Sequence, residues 1–252
     1  MELIFVAGAA LLAGFVDAIV GGGGLVLVPA LFAAFPGAHP ATLLGVNKSA
    51  AVWGTAVATA QYARQVALPW PTLLPAAGLA LIGSLAGAGL VMVVSPEFLR
   101  KLLPLVLLAV LVYTLLKKNL GREHAPRLAG WREPAAAAAI GLMMGFYDGF
   151  FGPGTGSLLV FLFVRVLGFD FLHASACAKL LNTCSNFSAL ALFALKGHIW
   201  WHYALVLAVA NVVGSLLGAR LALRHGAGFV RAVFVLVVGA LILRTGYDGF
   251  WR

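Results

Sequence analysis

Asp17-Ala18-Ile19-Val20-Gly21-Gly22-Gly23-Gly24 ends the first long apolar run of the chain, and Asp148-Gly149-Phe150-Phe151-Gly152-Pro153-Gly154-Thr155-Gly156 ends another. Glycine admits backbone conformations that other residues avoid, and Pro153 removes a backbone donor, so both stretches break a helix. A short apolar run follows each break, at about 25–35 and 157–169. A shift of 131 positions (148 less 17) lays one break on the other, with Asp17 on Asp148, Gly21 on Gly152 and Gly23 on Gly154.

The same shift carries Lys48 onto Lys179 and Trp70 onto Trp201. It also lays Gly83-Ser84-Leu85 and Gly87 on Gly214-Ser215-Leu216 and Gly218, and Phe98 and Arg100 on Phe229 and Arg231. Apolar helices match by chance, but Asp, Lys, Trp and Arg at one constant offset do not. The chain therefore reads as two tandem repeats, 1–121 and 135–252, joined by a polar basic linker at 122–134.

The solvent of this protein is lipid. Of 252 residues, 62% are apolar and 10% charged, against about 25% charged in a soluble domain. The longer runs, at about 3–20, 41–63, 72–94, 99–116, 135–151, 174–194, 202–222 and 229–247, mostly approach the roughly 20 residues that cross a bilayer as a helix. The expected fold is all-α, a polytopic transmembrane bundle with a glycine-rich break and a half-helix in each repeat.

Seventeen Lys and Arg against eight Asp and Glu give a charge of +9. Arg64, Arg100, Lys101, Lys117, Lys118, Arg122, Arg127, Arg132, Lys196, Arg220, Arg224 and Arg231 stand at run ends or in connections, where charges set membrane topology. That distribution argues against nucleic acid as a partner. Counted over alternate connections, the cations favour inverted over parallel repeats. Met1-Glu2-Leu3 lacks the basic region of a cleavable signal, so the first run reads as mature structure.

Broken backbone at membrane depth is tolerated only against protein or a water-filled cavity. Each short helix after a break turns its positive end towards such a cavity, which suits an anion. Paired interrupted segments in the two halves are the best pointer in a sequence to a transporter site. Lys48 and Lys179 fall inside long runs, where a central lysine costs roughly 2.5–3.5 kcal/mol to insert and faces the bundle interior with a partner. The competing reading is that each snorkels from a helix end. Asn47, Asn182, Thr183, Ser185 and Asn186 lie within two turns of them and can donate to anion oxygens. The expected substrate-binding set is Gly21, Gly22, Gly23, Gly24, Asn47, Lys48, Gly152, Gly154, Thr155, Gly156, Ser157, Lys179 and Asn182. Asp17 and Asp148 either balance the lysines or carry a coupling proton.

Other patterns carry less. Gly45-Val46-Asn47-Lys48-Ser49 lacks the glycine of a phosphate loop, and Gly152-x-Gly154-x-Gly156 lacks the spacing of a dinucleotide loop. The Gly-Ser-Leu-x-Gly pair reads as helix packing, and Trp70, Trp200 and Trp201 as interfacial anchors. Cys177 and Cys184 are too far apart along one helix for a disulfide, and the six histidines form no metal-ligand pattern. No metal or cofactor is expected.

Gly14-Phe-Val-Asp-Ala-Ile-Val-Gly-Gly-Gly-Gly-Leu-Val-Leu-Val-Pro29, Gly45-Val-Asn-Lys-Ser49 and Gly145-Phe-Tyr-Asp-Gly-Phe-Phe-Gly-Pro-Gly-Thr-Gly156 together resemble the sulfite exporter TauE/SafE family. This is also called the 4-toluene sulfonate uptake permease family, and it includes YfcA-like membrane proteins. The resemblance spans nearly the whole chain, with four glycines in the first break where the family often has five. It implies a multi-pass protein of the bacterial inner membrane that moves sulfur-containing anions such as sulfite, sulfoacetate or other organosulfonates. Direction varies across the family. The residues themselves point to a small anionic substrate without naming sulfur. A secondary transporter working by alternating access is the first expectation, a passive anion channel the second. An intramembrane enzyme is third, since no nucleophile–base pair or haem ligand pair is present; a homo-oligomer is left open.

Overall fold

A computed structural model describes residues 1–95, 98, 105 and 126–250, the side chains of 226–250 excepted. The run at 99–116 apart from 105, Arg100, the boundary at 121 and the first part of the linker lie outside these residues. Helix α1 (Glu2–Val20) ends at the first glycine break, and α2 (Gly24–Ala34) follows it. Two long helices complete the first half, α3 (Pro40–Ala63) and α4 (Trp70–Val91). The second half repeats the plan with α5 (Arg132–Phe150), α6 (Thr155–Leu162), α7 (Phe171–Leu195) and α8 (Trp201–Phe250). A π-helical turn, Phe163–Leu167, extends α6 to the left-handed Gly168. No strand occurs among the described residues.

The expected half-helices are present. The 11 residues of α2 rise about 16 Å, half the ~30 Å hydrocarbon core. Both α3 and α5 start slightly before their apolar runs because proline is tolerated in a first turn, whose N–H groups lack intrahelical partners. Pro40 opens α3, and Pro134 sits in the first turn of α5, so the last three linker residues are helical. The runs at 202–222 and 229–247 form one helix, α8. Gly226 and Gly228 separate them in sequence, but a helical glycine costs only about 1 kcal/mol against alanine.

By length and composition, α1, α4 and the first 25 residues of α8 (Trp201–His225) can cross a membrane. The helices α3 and α7 are longer than α1, at 24 and 25 residues, yet less apolar because Lys, Asn, Ser and Thr interrupt them. Most of those polar groups are buried, so the deficit marks an interior rather than an aqueous face.

The densest packing joins the two halves. Helix α4 lies along α5 and α1 lies along α8, while α3 crosses α7 at the centre. The 131-residue shift exchanges the first two pairings and maps the third onto itself. Individual contacts follow. The Ser84 hydroxyl donates to the carbonyl of Ser185, and the Ser215 hydroxyl donates to that of Gly54, both at 2.6 Å. A Cβ at Gly83 would overlap the Leu142 carbonyl, and one at Gly214 would overlap that of Leu11. The Gly-Ser-Leu-x-Gly stretches are close helix crossings, where small residues let backbones touch. Trp70 and Trp201 begin α4 and α8 and are 51% and 56% exposed, while Trp200 packs edge-on against Phe35.

Candidate functional site

The two breaks touch. Gly21 ends α1 in the left-handed region (φ 81°), its N–H bonded to the Asp17 carbonyl. A side chain there would collide with the backbone of Gly156 in the other break. Ser157, in the first turn of α6, donates its N–H to the Gly21 carbonyl (3.0 Å) and its hydroxyl to the Val20 carbonyl (2.8 Å). The Tyr62 hydroxyl donates to the Ala18 carbonyl. The carbonyls that a helix end leaves without intrahelical partners are thus satisfied by other elements. In the second break Gly152 and Gly154 have φ of 92° and 80°. There the Thr155 hydroxyl donates to Gly152 and the Tyr147 hydroxyl to Pro153.

The half-helix starts, whose positive ends are expected to face an anion, have several of their N–H groups engaged within the protein. The Gly23 N–H donates to Asp17 Oδ1 (3.1 Å), the Thr155 N–H to the Gly152 carbonyl and the Ser157 N–H to the Gly21 carbonyl. Much of the donor capacity is already engaged within the protein.

Lys48 is eight residues into α3, and Lys179 eight residues into α7, which places each about 12 Å along its helix. Both are 1% exposed, so neither snorkels out of the described bundle. Each meets the aspartate of the opposite half. Lys48 Nζ lies 2.8 Å from Asp148 Oδ2 and donates to Asn186 Oδ1 at 3.0 Å. The Ser185 hydroxyl donates to the same carboxylate oxygen at 2.7 Å, and Asn186 Nδ2 donates to Asn182 Oδ1. Lys179 donates to the backbone carbonyl of Asp17 and stands 3.8 Å from Asp17 Oδ2. Removing one member of such a pair strands a charge and costs about 3–5 kcal/mol.

Between the breaks and Lys48 is a cavity of about 380 Å³, open space at its mouth included. The room inside its walls is that of about one water molecule. Its wall contains Asp17, Gly21, Gly23, Gly24, Asn47, Lys48, Asp148, Gly152, Gly156 and Asn182 from the expected set. Gly22, Gly154, Thr155, Ser157 and Lys179 lie outside the wall, the last two supporting it through their bonds to Val20, Gly21 and Asp17. Asn186 and Asn211 line it as well. Asn211 was not singled out from the sequence. It sits near the middle of the apolar stretch Trp201–His225 of α8 and donates to the Ala10 carbonyl, and a buried amide in a spanning helix is itself a functional signal. Among the described residues no three of His, Cys, Asp and Glu are grouped to hold a metal ion.

Outside the spanning segments, two groups among the described residues are shifted. Burial pushes the Asp170 carboxyl up, but bonds from the His173 N–H and ring and from the Leu172 N–H hold it below its ordinary range. Burial pushes the His198 imidazole down, and the stacked His39 ring pushes it further.

The family model described as Sulfite exporter TauE/SafE matches residues 6–245. The chain belongs to this family. Among TauE/SafE relatives it is 39% identical over 239 residues to “probable membrane transporter protein YfcA” of Escherichia coli (strain K12), covering 95% of this chain and 87% of the relative. It is 36% identical over 247 residues to “probable membrane transporter protein ORF9” of Sinorhizobium sp, covering 98% and 93%. A Haemophilus influenzae protein named “probable membrane transporter protein” is 34% identical over 239 residues, covering 95% and 92%. No solved structure matches the chain significantly. The family is one of membrane transporters, which agrees with the apolar helices and the buried polar centre.

Proposed function

We propose that this TauE/SafE member is a secondary transporter of small sulfur-containing anions, such as sulfite, sulfoacetate or other organosulfonates. The anion binds between the two repeats, which are inverted and alternate access by rocking against each other. The observation that carries this reading is the small polar cavity where two glycine breaks, four asparagines and Lys48 converge, backed by the Lys179–Asp17 pair. A sulfonate or sulfite offers three acceptor oxygens, and Asn47, Asn182, Asn186 and Asn211 offer amide donors at that depth. Lys48 supplies charge once its bond to Asp148 loosens.

The helical bundle also fits the cytoplasmic membrane, since bacterial outer-membrane spans are barrels. Reconstituted protein should show sulfite or sulfoacetate counterflow, and Lys48→Ala or Lys179→Ala should reduce it at least tenfold while membrane insertion is retained. Unchanged flux in both variants would sink the proposed site. Conductance without counterflow would make the protein a passive anion channel instead. Turnover of a lipid substrate by the purified protein would favour an intramembrane enzyme.

A further inference from the structure

The geometry points to Asp17 as the residue that binds a proton together with the anion, which makes the protein a proton–anion symporter. This rests on the transporter reading above and names its coupling ion.

The buried centre contains two ammonium groups, Lys48 and Lys179, and two carboxylates, Asp17 and Asp148. Their formal charges cancel. An anion entering such a site adds uncompensated negative charge where little water can solvate it, which is strongly unfavourable. Protonating one carboxylate lowers that excess by one charge, leaving two cations against one carboxylate and the anion.

The two carboxylates are not equivalent candidates. Asp148 is 2% exposed, and its Oδ2 accepts from Ser185 at 2.7 Å while paired with Lys48 at 2.8 Å. A proton on that oxygen would break both contacts and strand the Lys48 charge. Asp17 is different at each point. Its Oδ1 accepts the Gly23 N–H, whereas its Oδ2 is buried without a hydrogen-bond partner. The ammonium of Lys179, 3.8 Å from that oxygen, is already satisfied in part by the Asp17 backbone carbonyl. Oδ2 can therefore take a proton without giving up a hydrogen bond.

The groups around Asp17 are accounted for. Helix α7 presents Lys179, α3 presents Lys48 and Tyr62, α5 presents Asp148 across the cavity, and α8 presents the amide of Asn211. From α2 and α6 only glycines reach the cavity wall. The proton comes from water on the face where the anion enters, converts the carboxylate to the acid, and leaves on the other face when the anion leaves.

Two experiments test this. Dicyclohexylcarbodiimide reacts with protonated carboxyl groups in apolar surroundings, so the purified protein is labelled at pH 5.5 and pH 8 without substrate and mapped by mass spectrometry. Labelling of Asp17 should be at least fivefold greater at pH 5.5, with Asp148 unlabelled. Labelling of Asp148 in preference to Asp17, equal labelling at both pH values, or none at either residue overturns the assignment.

Proteoliposomes with a trapped pH dye are then given sulfoacetate, which stays ionised from pH 6 to 8. The lumen should acidify as the anion enters. In Asp17→Asn the ratio of proton-driven accumulation to counterflow should fall at least tenfold, and Asp17→Glu should restore part of it. Anion entry by the unaltered protein without acidification, or an unchanged ratio in Asp17→Asn, overturns the proposal. If the unaltered protein moves neither sulfoacetate nor sulfite in any mode, the transporter reading fails for these anions, while the labelling still decides whether Asp17 binds the proton.

Discussion

The two ion pairs at the centre are built to one plan and finished differently. In each, a lysine eight residues into a long helix faces the aspartate that precedes the opposite glycine break. The pair at Lys48 and Asp148 is closed at 2.8 Å and buttressed by Ser185 and Asn186. The pair at Lys179 and Asp17 stands open at 3.8 Å, with one carboxylate oxygen unbonded and the side chain 13% exposed. Sequence symmetry therefore supplies two equivalent frames, and the unmatched neighbours decide which one stays fixed. Ser185 and Asn186 correspond to Gly54 and Thr55 under the shift, so the first-half frame lacks the groups that tighten the second.

The breaks offer the sharpest contrast. Gly21→Ala combines a left-handed φ with a backbone collision at Gly156, and should cost more than about 4 kcal/mol. At Gly152 the same substitution meets Lys48 Nζ at 3.0 Å and the Asp148 carbonyl at 3.2 Å, which a shift of a few tenths of an ångström relieves, and should cost about 1–2 kcal/mol from its φ. Yield of folded protein by size-exclusion chromatography in detergent checks both, and equal yields would remove the distinction.

The pairs come next. Asp148→Asn leaves Lys48 without its counter-ion and should lower stability by about 3–5 kcal/mol, whereas Asp17→Asn should lower it less than half as far. Thermal unfolding compares them. Ser84→Ala and Ser215→Ala then serve as a symmetric control, each expected to cost about 1 kcal/mol by loss of one buried hydrogen bond. A large difference between the serines would mean that the halves are unequal throughout, not only at the pairs.

The smallest expected effect concerns the starts of α3 and α7. His39 and Asp170, also 131 residues apart, are their N-caps. His198, stacked on His39, is held below the usual imidazole range, so the unfolded chain binds the more protons and stability falls as pH drops through about 6.5. Asp170, held low, stabilises above the ordinary aspartate range and loses that contribution only in stronger acid. His39→Asp should therefore reduce the drop in melting temperature between pH 7.5 and 5.5.

The breaks, the half-helices and the buried lysines were legible in sequence because glycine clusters and charges stand out in apolar runs. The crossed pairing was not. A constant offset relates Lys48 to Lys179, but it is silent on whether each aspartate meets the lysine of its own half or the other. The capture of half-helix N–H groups by Asp17, Gly152 and Gly21 depends on how the two breaks abut, which no single segment encodes. Asn211 escaped for a related reason: its counterpart is Ala80, and a search for matched residues passes over what only one half possesses.

The bonds from Ser157 to Val20 and Gly21 reach across 137 and 136 positions of chain, and this bears on the order of synthesis. When α1 enters the membrane, the groups that will close its end have not been made, and neither has the aspartate that will neutralise Lys48. The first half must wait in the bilayer with an unfinished helix end and an unanswered charge until the second break emerges. The buried centre of this protein is thus complete only once its second half is present, and the first half is a template that the second completes.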